Sequence, residues 1–370
     1  MRSLFAFFYQ KILKPIFFLF DPEKVHDRIT TVGMLLGKYS WSRQTLGKFF
    51  AFQHPALEQE IKEVKFPNPI GLAAGFDKNA QLVDILPAVG FGFMEVGSIT
   101  GKPCPGNPKP RLWRLPKSKA LVVYYGLKND GAEAISKRLA GKNFAIPLGI
   151  SLAKTNSPDT CEVEQGIADY QKAYSYFYQI GDYITINISC PNAYGGQPFT
   201  DPEKLEKLLK SLPLANETRP VFLKMPPDLP KDDIDKIIEL ARKFGLTGFI
   251  CTNLTKDRNN PRLKEKIKDK KVPEVGGISG KVVEELANDL ISYIYKKTQG
   301  EFIIIGCGGV FSAEDAYQKI KLGANLIQLI TGMVYQGPQL IGEINRGLVK
   351  LLQRDGFGHI SEAVGILNKK

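Results

Sequence analysis

Short runs of β-branched and aromatic residues alternate with longer helical patterns after about residue 65. Eight such runs predict strands, at 70–75, 93–99, 144–152, 183–190, 220–225, 248–253, 302–308 and 326–332. Between them, helices are predicted over segments such as 201–210, 231–244, 281–297 and 313–322, several of which open with a capping residue. Eight strand–helix alternations indicate an α/β fold of the TIM (β/α)8 barrel type. A doubly wound open sheet is the alternative, but no G-x-G-x-x-G turn follows the first strand.

The first 50 residues carry two amphipathic helical patterns. Apolar residues of the first recur every three or four positions: Phe5, Phe8, Ile12, Ile16 and Leu19. The second opens at Asp21, Pro22 and Glu23, which suit an N-cap, a first helical position and an acidic first turn. Lysines interrupt the first pattern, which is too short and too charged to span a bilayer, and no small-x-small cleavage site marks a signal peptide.

We therefore predict two parts of the chain, a small two-helix extension over residues 1–50 and a barrel over residues 51–370. Short amphipathic helices with a basic, aromatic surface are typical of peripheral membrane anchors. The alternative is a helical hairpin that packs on the barrel, because amphipathic helices usually face a protein core.

Charge and cysteine usage narrow the possible partners. The chain has a formal net charge of +12, which suits a nucleic acid, an anionic membrane surface or an anionic ligand. Residues 1–50 hold eight Lys/Arg against three acids, so this aromatic-rich segment alone is +5. The five cysteines are scattered without a C-x-x-C pair and there are three histidines, so we expect a reducing cytoplasm and no metal site.

Polar residues cluster where the predicted strands end: Lys78, Ser98, Asn187, Ser189, Cys190, Asn192, Lys224, Thr252 and Asn253. A single lysine or asparagine there is usually a solvated charge or a turn residue, but many at one rim of one barrel indicate a site. Glycines after the last two strands leave backbone N–H groups free to surround a phosphate: Gly306, Gly308, Gly309 and Gly332. Two rim lysines would stabilise negative charge on a bound ring system, as a reduced flavin requires.

Several motifs together resemble those of the dihydroorotate dehydrogenases, the FMN enzymes of pyrimidine synthesis. They are FDPEKVHDRIT, GLAAGFDKN, EVGSIT, GNPKPRLWRL, NISCPN, CTNLT, GGISGK, IIIGCGGV and ITGMVYQGP. The N-terminal helices and DPEKVH resemble the membrane-associated class that reduces a quinone. The resemblance implies oxidation of dihydroorotate to orotate by an enzyme peripheral to the cytoplasmic face of a bacterial inner membrane. We expect a monomer that binds no nucleic acid.

The resemblance also implies roles for individual residues. FMN contacts would come from Ala74, Lys78, Ser98, Ser151, Asn187, Lys224, Thr252, Gly277, Gly309 and Thr331. Substrate contacts would come from Lys78, Asn187, Asn192 and Asn253. Cys190 would be the base that removes the C5 proton while hydride passes from C6 to the flavin. In the quinone class, His26 and Arg114 would line the quinone passage.

The chain departs from the family pattern at four positions. Cys190 stands where the quinone class usually has serine and so resembles the soluble class. We expect nearby lysines to lower the thiol pKa from its ordinary ~8.5, and we expect full rate at lower pH than a serine enzyme reaches. Val123 replaces a substrate-binding asparagine, Ser151 replaces a flavin-contacting asparagine, and Ile330 replaces a tyrosine typical of the quinone class.

Other functions stay open on the sequence. The loss of an amide at Val123 is compatible with a different dihydropyrimidine substrate. A catalytically idle flavin-binding protein is a third possibility, but a structural role would require neither Lys78 nor Cys190. Dihydrouridine synthesis on tRNA would suit the basic charge, although we see no additional RNA-binding domain after the last barrel helix.

Overall fold

In a computed structural model, which describes residues 2–265 and 273–369, the predicted barrel is confirmed. The strands in chain order are β1 (Gln59–Ile61), β2 (Val64–Phe66), β3 (Ile70–Leu72), β4 (Phe93–Ile99), β5 (Leu112–Leu115), β6 (Ala120–Val123), β7 (Leu148–Leu152), β8 (Tyr183–Asn187), β9 (Val221–Met225), β10 (Gly248–Cys251), β11 (Gly277–Gly280), β12 (Ile303–Cys307) and β13 (Leu326–Leu329). Eight of them close a parallel barrel in the order β3-β4-β7-β8-β9-β10-β12-β13. All eight predicted strands lie in it.

Most barrel strands are shorter than the sequence pattern predicts. The first ends at Leu72 instead of residue 75, and the fourth ends at Asn187 instead of residue 190. The residues beyond these ends leave the sheet and form the rim at the C-terminal end of the barrel. This early departure of the chain from the sheet is what makes room for a site.

The N-terminal end of the barrel is filled by aromatic and aliphatic side chains that point inward: Phe93, Tyr183, Phe222, Ile250, Ile305 and Leu326. The β1–β2 hairpin packs Ile61 and Phe66 against this layer and closes that end. One layer further on, the interior becomes polar, because the carboxylate of Glu95 accepts hydrogen bonds from Thr185 Oγ1 at 3.0 Å and Gln328 Nε2 at 2.9 Å. The barrel is therefore sealed at one end and polar toward the other.

The helices in chain order are α1 (Arg2–Phe8), α2 (Lys14–Leu19), α3 (Pro22–Lys38), α4 (Ser40–Phe50), α5 (Leu86–Val89), α6 (Ala132–Leu139), α7 (Val163–Tyr176), α8 (Pro202–Ser211), α9 (Lys231–Lys243), α10 (Glu284–Thr298), α11 (Ala313–Lys321), α12 (Thr331–Gln336) and α13 (Leu340–Asp355). Caps explain several starts, because the Asp21, Asp201 and Ser312 side chains each accept from a backbone N–H three residues on. The predicted helix at 281–297 instead begins as a 3-10 turn at Lys281–Val283 before α10.

The N-terminal extension contains more helix than the two segments predicted. A π-helical turn at Tyr9–Leu13 joins α1 to α2, α3 follows from Pro22, and the sequence pattern missed α4. Glu23, in the first turn of α3, is buried and bonds to Arg111 of the barrel domain at 2.8 Å. Within the described residues, no helix is long and apolar enough to cross a membrane.

A three-stranded antiparallel sheet, which the sequence pattern did not predict, lies over the C-terminal rim. It has the order β11-β6-β5, and Gly277 of β11 pairs with Val123 of β6. The sheet lies between the barrel rim and the N-terminal helices, so it forms one wall of the site described next.

Candidate active site

A cavity of about 500 Å³ lies at the C-terminal ends of the barrel strands and extends to the N-terminal helices. All but two of the residues to which the resemblance assigns a role line it: His26, Ala74, Lys78, Ser98, Arg114, Asn187, Cys190, Asn192, Lys224, Thr252, Asn253, Gly309 and Thr331. Ser189 and Gly306, which the strand-end pattern also suggested, do not line it. One continuous cavity thus joins the predicted flavin, substrate and quinone residues. Their individual roles stay predictions.

Ser151 and Gly277 do not line the cavity. Ser151 is fully buried in β7, and its Oγ lies 2.8 Å from the Oγ of Ser98, so it supports a cavity residue from behind. Gly277 faces protein, since a β-carbon there would come within 2.5 Å of Leu254. Two residues further along β11, Ser279 lines the cavity instead.

Hydrogen bonds between strand ends fix the polar wall of the cavity. Asn187 Nδ2 donates to Ser98 Oγ at 2.7 Å, and Asn187 Oδ1 accepts from both the backbone N–H and the hydroxyl of Ser189. Asn253 Nδ2 donates to the Ser189 carbonyl at 2.9 Å. Tyr170 donates from behind to the Asn187 carbonyl at 2.7 Å. The wall is therefore preorganised before any ligand binds.

The cavity is electropositive. Lys78, Arg114, Lys128 and Lys224 line it, and no Asp or Glu is among its described lining residues. Burial, together with the charge of Lys128, lowers the pKa of Lys78 to about 8. Lys224 is also buried, and the described residues offer its ammonium group no hydrogen bond or ion pair. An anionic ligand or an electron-rich ring would supply the missing partner.

Cys190 follows β8 and faces this cavity. Burial raises the pKa of its thiol to about 11, and the backbone N–H of Asn192 and the charge of Lys154 only partly oppose this effect. The thiol pKa therefore lies above its ordinary value and not below it as expected. Lys154 and Lys256 do lower the pKa, but desolvation of the thiolate outweighs them. Cys190 lines the same cavity as Asn187, Asn192 and Asn253, and its role as the base stays a prediction.

The amide of Asn192 is held by the backbone at Val123. Its Nδ2 donates to the Val123 carbonyl at 2.8 Å, and the backbone carbonyl of Asn192 accepts from Asn107 Nδ2 at 3.1 Å. Val123 lines the cavity, so an apolar residue stands where the resemblance predicted a substrate-binding amide.

The N-terminal helices form the other end of the cavity, with Phe5, Tyr9, Leu13, Phe17 and Phe18 among its lining. Arg114 donates to the Phe20 carbonyl at 2.8 Å and lies 4.6 Å from the centroid of the Phe18 ring. His26 hydrogen-bonds to the Phe76 carbonyl at 2.9 Å, and burial lowers its pKa, so the ring is neutral near pH 7. The passage is therefore apolar, with two polar side chains along it.

Sequence reasoning missed several lining residues, among them Tyr125, Lys128 and Cys307. Tyr125 and Lys128 lie just after β6, which belongs to the unpredicted sheet. Cys307 lies in the GCGG motif, where the sequence analysis considered only the glycines. A search for polar residues after every short β-rich run, not only the eight barrel strands, would have found the first two.

Known proteins are similar to this chain over most of its length. The sequence profile of the family described as dihydroorotate dehydrogenase matches residues 56–352. The chain belongs to the dihydroorotate dehydrogenase family. A dihydroorotate dehydrogenase (quinone) of Trichodesmium erythraeum is 38% identical over 98% of this chain and 99% of its own. The protein of the same description from Crocosphaera subtropica is 40% identical over 94% of both chains. A crystal structure of the Eimeria tenella DHODH in complex with ferulenol is 29% identical, with a TM-score of 0.83 over 95% of this chain and 96% of that one.

As a member of this family the chain is an FMN-dependent oxidoreductase, and the residues present fit that cofactor. The unpaired ammonium of Lys224 and the amide and hydroxyl wall at Asn187 and Ser98 are donors suited to an electron-rich isoalloxazine. Small residues line the part of the cavity near β11, β12 and α12, where a phosphate could approach the backbone: Ser279, Gly280, Gly308, Gly309 and Gly332.

Proposed function

We propose that this chain oxidises dihydroorotate to orotate in pyrimidine nucleotide synthesis and passes the electrons to a membrane quinone. The observation that carries the proposal is the single cavity that connects Cys190 and the polar wall to the helix-lined passage at His26 and Arg114. Both the family membership and the relatives described as quinone enzymes support it.

The substrate would lie against the polar wall. The Lys78 ammonium pairs with its carboxylate, and the amides of Asn192 and Asn253 hydrogen-bond to that carboxylate and the ring amides, with Asn187 completing the set. These contacts place C5 of the ring toward Cys190. The sulfur, as thiolate, accepts the C5 proton. FMN, when bound, accepts the C6 hydride and so the two electrons of the oxidation.

Several residues would hold FMN without touching the reacting atoms of the substrate. Lys224 and Thr252 would hold the ring, and Thr331 with the glycines near it would hold the phosphate. Ser151 would support the cofactor only through Ser98, because the Ser151 hydroxyl lies behind that residue.

Quinone would enter between the N-terminal helices. The exposed apolar residues on these helices include Phe7, Ile12, Ile16, Leu19 and Trp41. Lys11, Lys14 and Lys38 are on the same helical extension, so an apolar surface with basic residues around it is available to anionic lipid. This surface supports peripheral binding to a membrane, with residues 1–50 as the membrane-associating part and residues 51–370 as the catalytic part. We place the protein on the cytoplasmic face of a bacterial inner membrane and expect a monomer.

A second candidate substrate follows from one observation, the apolar Val123 side chain in the cavity. It favours a dihydropyrimidine that presents a less polar edge at that point. The base and the flavin chemistry would be unchanged.

The test is anaerobic reduction of the bound flavin by dihydroorotate, followed by reoxidation with a quinone in detergent. We expect the flavin absorbance to bleach and then return. No bleaching by dihydroorotate contradicts the substrate and favours the second candidate or an idle flavoprotein. Bleaching without reoxidation by quinone contradicts the acceptor and indicates a soluble one.

A further inference from the structure

The loop at residues 190–197 carries Cys190 and forms part of the cavity wall. A hydrogen bond joins the two ends of the loop, because Gln197 Nε2 donates to the Ser189 carbonyl at 2.8 Å. Gly195 and Gly196 have φ angles of 70° and 71°, which a side-chain-bearing residue adopts only with strain. The loop thus makes a tight turn that depends on a few polar contacts.

Two side chains from the segment after β7 hold the middle of this loop. Lys154 Nζ donates to the Tyr194 carbonyl at 2.6 Å, and Asn156 Oδ1 accepts from the Tyr194 backbone N–H at 2.6 Å. The Tyr194 side chain is 55% exposed, so apolar burial contributes little here. The loop is therefore fixed at Tyr194 through its backbone, by one charged and one neutral side chain.

The segment that supplies these two side chains is itself rigidly held. The Asp169 carboxylate accepts from the backbone N–H of Thr155 at 2.6 Å, from its hydroxyl at 2.9 Å and from the Gly101 N–H at 3.2 Å. Lys154 is only 4% exposed. Burying an ammonium group is unfavourable unless it meets negative charge or hydrogen-bond acceptors, so its position calls for a reason beyond one hydrogen bond to a carbonyl.

Negative charge would be available to Lys154 from three directions. Burial lowers the pKa of the ammonium, while Cys161, Cys190 and Asp169 each act to raise it. The groups that act on the Cys190 pKa are Lys154, Lys256, Cys104 and the Asn192 backbone. Among the charged groups, Lys154 lowers this pKa most and so favours the thiolate most. Lys154 thus supports the loop through Tyr194, and its positive charge also acts on the Cys190 thiol.

Resting on the proposed role of Cys190, we propose that Lys154 is a positioning residue, whose ammonium group holds the 190–197 loop over the cavity and stabilises the thiolate that accepts the substrate proton. Asn156 supports the same loop residue but carries no charge, so the chain contains its own matched control. The position of the loop and the ionisation of the base are thus linked through one side chain.

The test compares Lys154→Met, Lys154→Arg and Asn156→Ala in the FMN-bound enzyme. Two quantities are measured against pH: the alkylation rate of Cys190 by iodoacetamide, resolved from the other cysteines by peptide mass spectrometry, and the rate of flavin reduction by dihydroorotate. We expect Lys154→Met to move both pH midpoints upward by about one unit, a roughly tenfold loss of thiolate at fixed pH. Lys154→Arg should restore most of this shift. Asn156→Ala should slow reduction without moving either midpoint.

The proposal is overturned if the Lys154→Met profiles coincide with those of the parent, or if Asn156→Ala shifts the midpoints equally, since loop position rather than charge would then be responsible. Failure of the proposed function gives a different result. If Cys190 is not the base, Cys190→Ala still reduces flavin with dihydroorotate, whatever Lys154→Met does to alkylation.

Discussion

The Nζ atom of Lys78 lies 4.1 Å from the centroid of the Tyr125 ring, inside the cavity that both residues line. The Tyr125 hydroxyl is buried and has no hydrogen-bond partner among the described residues. The ring face favours the ammonium over the neutral amine, but burial dominates and lowers the Lys78 pKa to about 8.

Affinity for orotate should therefore fall as pH rises above 8. Lys78 loses its charge above its pKa, which lies at about 8 and not at the 10.5 of an exposed lysine, and a bound carboxylate moves the midpoint somewhat higher. We expect the dissociation constant, from titration of the flavin spectrum, to increase on the order of tenfold between pH 7 and pH 10. Lys78→Arg keeps its charge and should flatten this dependence. A slope that persists in Lys78→Arg would assign it to another group.

Replacing the thiol by a hydroxyl should slow proton removal. The Cys190 pKa is raised to about 11, but a serine hydroxyl is less acidic still. Cys190→Ser should reduce the rate of flavin reduction by about 100-fold near pH 8 and displace its pH profile upward. Cys161→Ser is the control, because Cys161 lies close to Gly195 of the same loop but does not line the cavity. An unchanged pH profile for Cys190→Ser would show that the sulfur is not the base.

Val123→Asn should return an amide to the cavity wall. If the substrate is dihydroorotate, the new side chain can hydrogen-bond to its ring, and we expect orotate to bind about tenfold more tightly, the worth of one buried hydrogen bond. Val123→Leu is the control for size, and it should weaken binding. Weaker binding of orotate by Val123→Asn would support the second candidate substrate.

The barrel could be predicted because a short run of β-branched and aromatic residues marks each of its strands. The sheet over the rim could not be predicted in this way. The β6 residue Val123 pairs with Gly277, more than 150 positions away, and no local pattern indicates such a pairing. The same sheet explains why Gly277 does not line the cavity, which the local sequence does not show.

The composition of the candidate site was largely predictable, but its electrostatics were not. Cys190 and Lys78 could be placed at strand ends from the alternation of strands and helices. Their pKa values follow from burial, which the sequence does not show, and burial reversed the direction expected for Cys190. The role of Lys154 depends on a contact with Tyr194 that closes only in the folded chain.

The buried ammonium group of Lys319 should lower the free energy of unfolding at neutral pH. Lys319 is fully buried in α11, where its Nζ donates to Asn288 Oδ1 at 2.7 Å, and burial lowers its pKa to about 8. Because the folded pKa is below the unfolded value, the folded state gains stability as pH rises from about 8 toward 10. Lys319→Met should raise the melting temperature at pH 7 and remove this increase. Lys296→Met, at an exposed position of α10, should leave both unchanged. If the stability of Lys319→Met rises between pH 8 and pH 10 as much as that of the parent, Lys319 is not the source of the increase.

Introducing negative charge into the exposed apolar surface of the N-terminal helices should release the protein from membranes. Leu19 is 83% exposed and Trp41 is 64% exposed, and burying each in lipid contributes about 1.5–3 kcal/mol. We expect the double variant Leu19→Glu, Trp41→Glu to lower the fraction bound to anionic vesicles at least tenfold, measured by flotation. Reduction of the flavin by dihydroorotate should be unaffected, while reoxidation by vesicle-borne quinone should slow.

The control for this surface is Leu367→Glu, because Leu367 is 51% exposed but lies near the other end of the chain. It adds a negative charge outside the N-terminal helices and should leave the fraction bound to vesicles unchanged. Equal loss of flotation in Leu367→Glu would mean that net charge alone governs binding, since the apolar contact at Leu19 and Trp41 would then contribute nothing. Retained flotation of the double variant would place the membrane contact elsewhere on the protein.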